Sequence, residues 1–273
     1  MTLDPDPDRH RLAGLRVLVT RPERQSQGLA AILRSRGAEP LCIPAIEIAA
    51  HSADPAMESA AAALGNGDVA LFTSANAVAY GHALLPPRTG SYALGAVGAA
   101  TARALGELGF KVDLAPRDAY HSEALLALEE LAGERISGHR VVLFKGVGGR
   151  ELLADELRAR GARVTGVEVY RRSCPGPEQA ARLCAARATV DAVVVTSGEA
   201  LANLAEMLGA AHRDWLTRVP LVVASERIAV RAREHAIGAP LVVARQAADT
   251  ALADALDGCR ETRTGGAAAE MGG

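Results

Sequence analysis

The amino-acid sequence predicts an α/β protein made of two related halves, each with a parallel sheet that is covered by helices on both faces. Three observations predict this fold class: an internal repeat, an alternation of short apolar strands with helical stretches, and a length of 273 residues, which suits two ordinary domains. Alternating β and α segments with short connections favour doubly wound parallel sheets.

The repeat is a gapless alignment of residues 16–38 with residues 140–162. RVLV aligns with RVVL, and LRSRGA aligns with LRARGA, so that strand, turn, helix and helix-ending glycine occur in both copies. Residues 68–74 align in the same way with residues 191–197, and each of these segments is an apolar strand that ends in Thr-Ser.

A third and weaker match, of residues 96–107 with 223–234, gives three strand-to-helix units in each half. The predicted strands are continuous apolar runs, as expected for parallel strands that are buried on both faces. The clearest of them are 17–19, 69–72, 141–144, 193–195 and 221–223. Ligands of such sheets bind beyond the carboxyl ends of the strands, so the turns there are where a site is expected.

Two equivalent segments, 40–48 and 164–172, continue past a normal strand in an extended pattern and could connect two domains. In that arrangement the chain divides into a discontinuous first domain (13–48 plus 173–260), a second domain (49–166) and a return linker (167–172). Contiguous halves are the alternative, and the periodicity alone leaves both arrangements open.

The composition excludes several classes of protein. The formal net charge of −2 argues against binding nucleic acid through the overall field, since phosphate contacts need clustered Lys and Arg. The four cysteines show no zinc-ligand or disulfide-framework spacing. No apolar run approaches the ~18 residues of a membrane span, and the acidic start is unlike a signal peptide. We therefore expect a cytoplasmic protein that binds neither membranes nor nucleic acid, with flexible tails at 1–12 and 261–273.

Small, hydroxyl and basic residues occupy the turns that follow the predicted strands. The candidates for substrate binding are Arg21, Thr73, Ser74, Asn76, Gly98, Thr101, Lys145, Gly146, Gly148, Arg150, Thr196, Ser197 and Ser225. Helix N-termini present unpaired N–H groups and a partial positive charge, so such turns suit carboxylates or phosphates. The hydroxyl residues suit helix N-caps equally well, and the basic residues suit surface ion pairs. The turn 145–150 is neither a P-loop nor a dinucleotide-binding fingerprint.

Motifs for metal or triad catalysis are missing from the sequence. The seven histidines form no HExxH pattern, and there is no GxSxG elbow. These absences favour a reaction that needs no metal and little acid–base machinery. Tyr170, one of four tyrosines, lies in the predicted return linker and is the most specific candidate for chemistry, with packing as the structural alternative.

The order and spacing of seven motifs resemble the uroporphyrinogen-III synthase family from about residue 15 to residue 256. These motifs are VLVTRP (17–22), IPAIEI (43–48), LFTSANAV (71–78), AVGAATARAL (96–105), GGRELLADELRARGARV (148–164), VYRR (169–172) and VVVTSGEAL (193–201). The sequence departs from the family at Ser225, where the last turn often has glycine.

The resemblance implies a cofactor-free, monomeric lyase of tetrapyrrole and heme biosynthesis. Such an enzyme cyclises hydroxymethylbilane to uroporphyrinogen III with loss of water and inversion of ring D, and takes its substrate by transient hand-over from the preceding pathway enzyme. The resemblance also implies two flavodoxin-like domains joined by a two-stranded linker, which favours the discontinuous arrangement.

By resemblance, Tyr170 corresponds to the family's tyrosine that assists loss of the substrate hydroxyl. The hydroxyl residues that would line the family's cleft are Thr73, Ser74, Thr101, Thr196 and Ser197. The substrate carries eight carboxylates, which fits several anion-binding turns in a protein with no net positive charge. Two other hypotheses are a non-catalytic two-domain binding protein for an anionic small molecule or tetrapyrrole, and a nucleotide-binding enzyme.

Overall fold

A computed structural model of the protein describes residues 11–52, 54–87, 92–116, 122–149, 151–235, 237 and 240–257. The chain forms two compact units. The first unit extends to Glu47 and resumes at Ser173, and the second unit is Ile48–Arg172. The predicted tail 261–273, most of the predicted tail 1–12, and the candidate Arg150 lie outside the described residues.

Strands and helices alternate along most of the chain. In the first half the elements are β1 (Arg16–Val19), α1 (Glu23–Ser35), β2 (Glu39–Cys42), β3 (Glu47–Ala50), α2 (Pro55–Ala62), β4 (Val69–Phe72), α3 (Ala75–Gly81), β5 (Ala93–Ala96), α4 (Ala99–Glu107), α5 (Ser122–Leu126) and α6 (Gly133–Ile136). They continue with β6 (Arg140–Gly146), α7 (Leu152–Ala159), β7 (Arg163–Ser173), α8 (Pro177–Ala186), β8 (Ala192–Val195), α9 (Gly198–His212), α10 (Asp214–Arg218), β9 (Leu221–Val223), α11 (Glu226–Glu234), β10 (Leu241–Val243) and α12 (Asp249–Ala255).

The sheet of the first unit has the strand order β10-β9-β8-β1-β2, and its neighbouring strands are parallel. When the five strands of this unit are numbered 1 to 5 in chain order (β1, β2, β8, β9, β10) and read from the β2 edge, this is the flavodoxin-like order 2-1-3-4-5. β1 is central, with Leu18 in register with Leu41 on one side and with Val193 on the other. Val17, Leu18 and Val19 are completely buried, so both faces of this strand are covered.

The sheet of the second unit has the order β3-β7-β6-β4-β5. β6 lies between β7 and β4 in the same way that β1 lies between β2 and β8, so the repeat inferred from the sequence is present in the two sheets. The glycines that end the first helix of each repeat, Gly37 and Gly161, both have φ +85°, the left-handed conformation of a helix C-terminus. The predicted fold class, two doubly wound parallel sheets, is confirmed.

Two apolar clusters cover the two faces of the second sheet. Even-numbered residues of β4 and β6, including Phe72 and Phe144, contribute to one cluster together with Val167, Val169 and Tyr170 of β7. The odd-numbered residues of the same two strands contribute to the other. Alternating side chains therefore meet apolar surroundings on both sides, which explains why these strands are continuous apolar runs rather than alternating ones.

The segments expected to connect two domains differ from each other in structure. The predicted return linker, 167–172, is the second half of β7. The strand continues this far because its neighbour β6 extends to Gly146, which pairs with Tyr170. The equivalent segment 40–48 is broken, since β2 ends at Cys42 and β3 begins at Glu47.

Packing contacts of the first unit include a residue before the predicted boundary at residue 13. Leu12 is fully buried, and its N–H donates to the carbonyl of Arg36 over 3.0 Å. None of the described helices combines the length and the apolar character that crossing a membrane would require. The cysteines within the described residues, Cys42, Cys174 and Cys184, are free and half-buried.

The Phe72–Phe144 pair gives a direct test of the second core. Their rings stack with centroids 4.4 Å apart, and both side chains are completely buried. Phe72→Ala should lower the free energy of unfolding by about 3–5 kcal/mol, since it removes a buried ring and leaves a cavity. Urea denaturation followed by circular dichroism measures this loss. Phe110→Ala, at the half-buried edge of the same cluster, should cost clearly less, and equal losses would contradict the packing described here.

Candidate active site

The candidate residues of the second unit lie at the carboxyl ends of neighbouring parallel strands. Gly146 ends β6, the turn that begins with Thr73 follows β4, and Gly98 follows β5. Since β6, β4 and β5 are adjacent in the sheet, these turns share one edge, where doubly wound sheets bind ligands. Tyr170 joins them because it is in register with Gly146.

A shift in strand register positions Tyr170. Lys145 is in register with Glu168, but the next residue, Gly146, is in register with Tyr170, so Val169 has no partner on β6. The Val169 carbonyl instead accepts a hydrogen bond from the N–H of His51, just after β3, over 3.0 Å. Register shifts of this kind re-aim side chains, and here Tyr170 joins Val169 in one core cluster.

Close approach to Gly146 fixes the phenol ring. A Cβ at residue 146 would lie 2.7 Å from Cζ of Tyr170 and 3.0 Å from its hydroxyl oxygen, so any larger residue there would have to displace the ring. Tyr170 is 4% exposed. The phenol hydroxyl lies 3.2 Å from Oγ of Ser74, which gives its polar end a hydrogen-bond partner.

Ser74 serves as a helix cap and as the partner of Tyr170 at the same time. Its backbone is extended, and its Oγ accepts from the N–H of Ala77 over 3.1 Å at the start of α3. The preceding Thr73 donates its hydroxyl to the carbonyl of Phe144 over 3.2 Å. Both hydroxyls of this turn are therefore held by hydrogen bonds to other residues of the second unit.

Two side chains that were not among the candidate site residues, Tyr80 and Arg172, surround the phenol. The ring of Tyr80 stacks against that of Tyr170 with centroids 6.2 Å apart, and its hydroxyl donates to the carbonyl of Ile48. Arg172 places its guanidinium carbon 5.8 Å from the ring centroid, and its Nη2 lies 3.5 Å from the phenol oxygen. Strand alternation is the signal that could have indicated Arg172, because residues two apart project from one face.

The remaining candidates of the second unit lie at the starts of α3 and α4. Gly98 is the extended N-cap of α4 and has no side chain to cap it. Thr101 is 4% exposed and lies on the buried face of α4 with Leu105. Asn76 is half-buried in the first turn of α3, which packs against α4.

Lys145 is already paired with carboxylates of its own chain. Its buried ammonium contacts Glu151 and lies 3.8 Å from a carboxylate oxygen of Glu168. The N–H of Gly148, which has φ +68°, also donates to Glu168, over 3.4 Å. This cluster ties the turn after β6 to β7, and a ligand carboxylate would have to compete with both glutamates for Lys145.

Arg21, the basic candidate of the first unit, is likewise paired. It forms an ion pair with Asp249 and donates to the carbonyl of Ala247 over 3.1 Å. Gly28 permits this arrangement, because a Cβ there would collide with the Asp249 carboxylate. Arg21 and Lys145, both candidates for substrate binding, are therefore each held in an ion pair within their own unit, which is the alternative that the sequence left open.

The hydroxyl candidates of the first unit follow the adjacent strands β8 and β9. Thr196 and Ser197 come directly after β8, and Ser197 caps α9 by accepting from the N–H of Ala200 over 3.0 Å. Ser225 is the extended N-cap of α11 without a side-chain cap bond. A guanidinium nitrogen of Arg231, on α11, would lie 2.6 Å from a Cβ at Gly198, so a cation lies at the start of α9.

The thiol of Cys174 follows β7 in the first unit. Burial, and then the nearby carboxylate of Glu206, raise the pKa of Cys174 above its ordinary value. A thiol with a raised pKa is a poor nucleophile at neutral pH. Within the described ranges, no three His, Cys, Asp or Glu side chains are grouped so that they could hold a metal ion.

Gly146→Ala tests the constraint on Tyr170. The added methyl group should displace the phenol from Ser74 and lower the free energy of unfolding by about 1–3 kcal/mol through overpacking. Gly106→Ala is the matched control, because beyond its chain neighbours and the backbone of α4 itself no atom lies within 4 Å of the Cβ position, so it should be neutral or stabilising. Urea denaturation and a crystal structure of each variant measure both effects. An unchanged Tyr170–Ser74 distance in Gly146→Ala would contradict this account.

Comparison with known proteins places these features in a family. The family model described as uroporphyrinogen-III synthase HemD matches residues 27–254. The uroporphyrinogen-III synthases of Escherichia coli K12 and Salmonella typhimurium LT2 are 39% and 38% identical to this chain, over 80% of it and 90% of each relative. The solved structure of a mutant uroporphyrinogen III synthase from Thermus thermophilus has the same fold, with a TM-score of 0.53 and 24% identity, and covers 92% of this chain and 99% of its own. The chain therefore belongs to the uroporphyrinogen-III synthase family.

Proposed function

We propose that the protein is a lyase that cyclises hydroxymethylbilane to uroporphyrinogen III, with loss of water and inversion of ring D. The family match and the relatives named for this activity support the proposal, and this chain covers nine-tenths of the length of two of them. The single structural observation that carries it is the phenol of Tyr170, fixed between Gly146 and Ser74 at the ligand-binding edge of the second sheet.

Loss of water from the substrate begins with departure of its hydroxyl group. A positioned phenol can donate a proton to that oxygen, so the group leaves as water and an azafulvenium-like electrophile forms. The substituted carbon of ring D then attacks, and the resulting spiro intermediate fragments and closes again with ring D inverted. Because the substrate also cyclises unaided to the uninverted isomer, the main task of the protein is to hold ring D for the inverting attack.

We assign carboxylate binding to backbone N–H groups at the starts of helices, and to the hydroxyls of the first unit, rather than to the two paired basic residues. Arg21 and Lys145 are each neutralised within their own unit. Each unit instead presents helix N-termini at the carboxyl ends of strands, such as the start of α3 after β4 and the start of α9 after β8. Eight carboxylates spread over a flexible substrate suit several modest contacts of this kind better than one strong cationic site.

We assign the protein to the cytoplasm as a monomer in heme and tetrapyrrole biosynthesis, without a cofactor or metal. It would receive hydroxymethylbilane, which is short-lived, by transient hand-over from the enzyme that makes it. Size-exclusion chromatography with light scattering tests whether the protein is a monomer in solution.

Isomer analysis tests the activity. The protein is mixed with hydroxymethylbilane as that compound is generated, and the oxidised products are separated by chromatography. We expect isomer III to dominate, against isomer I in the protein-free control. Isomer I alone would refute the proposed function, and tight tetrapyrrole binding without turnover would favour a binding protein.

Tyr170→Phe tests the role of the phenol. The variant keeps the ring but loses the hydroxyl, so kcat should fall about 10²-fold or more, while the free energy of unfolding should change by only about 1 kcal/mol. Tyr80→Phe is the matched control, because its exposed hydroxyl donates to a backbone carbonyl and its ring remains stacked. Full activity of Tyr170→Phe would leave substrate positioning alone as the source of catalysis.

A further inference from the structure

We propose that Arg172 is a positioning residue that, together with Ser74, directs the phenolic hydrogen of Tyr170 toward the substrate. The inference rests on the proposed function, because it explains how the same phenol would be made ready to donate. Both residues lie in the second unit and both contact the phenol oxygen, Ser74 at 3.2 Å and Arg172 Nη2 at 3.5 Å.

The hydrogen-bonding capacity of the three groups limits their arrangement. A guanidinium only donates, so the phenol oxygen must accept from Arg172. A phenol oxygen has two lone pairs and one hydrogen, which leaves one lone pair and the hydrogen to be placed. Oγ of Ser74 already accepts from the N–H of Ala77, and its own hydrogen needs an acceptor.

The remaining lone pair of the phenol oxygen and the hydrogen of Ser74 are both satisfied when Ser74 donates to Tyr170. Both lone pairs of the phenol oxygen are then occupied, by Arg172 and by Ser74, and the phenolic hydrogen is directed away from both. The reverse direction, with Tyr170 donating to Ser74, would hold the phenolic hydrogen inside the protein. The positive charge of Arg172 favours the first arrangement, because it attracts the oxygen and repels the hydrogen.

The position of Arg172 also fits the charge that develops during the reaction. When the phenolic proton passes to the leaving hydroxyl, the carbon–oxygen bond of the substrate breaks, water departs, and negative charge remains on the phenol oxygen. Arg172 and Ser74 would stabilise this phenolate through two hydrogen bonds that already exist. Final ring closure releases a proton from the macrocycle, and this proton restores the phenol.

Backbone geometry keeps Arg172 beside the phenol. The two residues are two apart in β7, so their side chains leave the strand on the same face. The guanidinium carbon is 5.8 Å from the ring centroid, within reach of a cation–π contact. Arg171, between them, leaves the opposite face and is also exposed, so it supplies a control of equal charge.

A double-mutant cycle tests the proposal. Arg172→Gln should lower kcat for isomer III formation about tenfold, the loss expected for one charge-assisted hydrogen bond, with KM within about twofold of wild type. Arg172→Lys should recover part of the loss, and Arg171→Gln should behave as wild type. In the Tyr170→Phe background, Arg172→Gln should have no further effect, since the oxygen on which it acts is gone.

Several results would overturn the proposal. An unchanged kcat in Arg172→Gln would show that Arg172 does not direct the phenolic hydrogen of Tyr170. A mainly raised KM, or an equal loss in the Tyr170→Phe background, makes Arg172 a substrate-binding residue that does not act through the phenol. If Tyr170→Phe forms too little isomer III to measure, the kcat and KM of Arg172→Gln and Arg172→Lys decide the question. Wild-type protein that forms no isomer III would refute the proposed function instead, so the two failures are distinguishable.

Discussion

The contact between Gly146 and the ring of Tyr170 is the constraint on which the candidate site depends. A side chain at residue 146 would collide with the phenol, and the register shift between β6 and β7 is what brings these residues opposite each other. Once the ring lies against the glycine, its hydroxyl reaches Ser74, Tyr80 stacks beside it, and Arg172 comes within hydrogen-bonding distance. A small backbone irregularity thus brings a polar group of the core to the edge where ligands bind.

The packing of the second unit gives this contact its rigidity. β4 and β6 send alternate side chains into two separate apolar clusters, so neither strand can slip by one residue without exchanging the faces of all its side chains. Phe72 and Phe144 stack directly beneath the turns that carry the site, and Thr73 is bonded to the Phe144 carbonyl. The hydroxyl groups therefore follow fully buried strand ends, and positions fixed in this way suit a reaction controlled by geometry.

Much of the fold could be predicted because the repeat, the apolar strands and the helix-ending glycines all depend on local sequence. The ion pairs could not, since nothing near Arg21 in sequence indicates that Asp249 would pair with it. The partners of Lys145, Glu151 and Glu168, are close to it in sequence, but only the fold shows that the lysine is buried between them. The continuation of β7 past residue 166 depends on the length of β6, a nonlocal pairing. The family motifs indicated Tyr170, whereas the contacts that orient it appear only in three dimensions.

The proposed reaction requires that the phenol of Tyr170 meets the hydroxyl that leaves the substrate. The most direct measurement is a crystal structure of the unaltered protein with an unreactive bilane analogue that keeps its hydroxymethyl group. We expect the hydroxymethyl oxygen to lie within about 3 Å of the Tyr170 hydroxyl, the reach of direct proton transfer. A bound analogue whose hydroxymethyl group lies at another turn, out of reach of Tyr170, would contradict it.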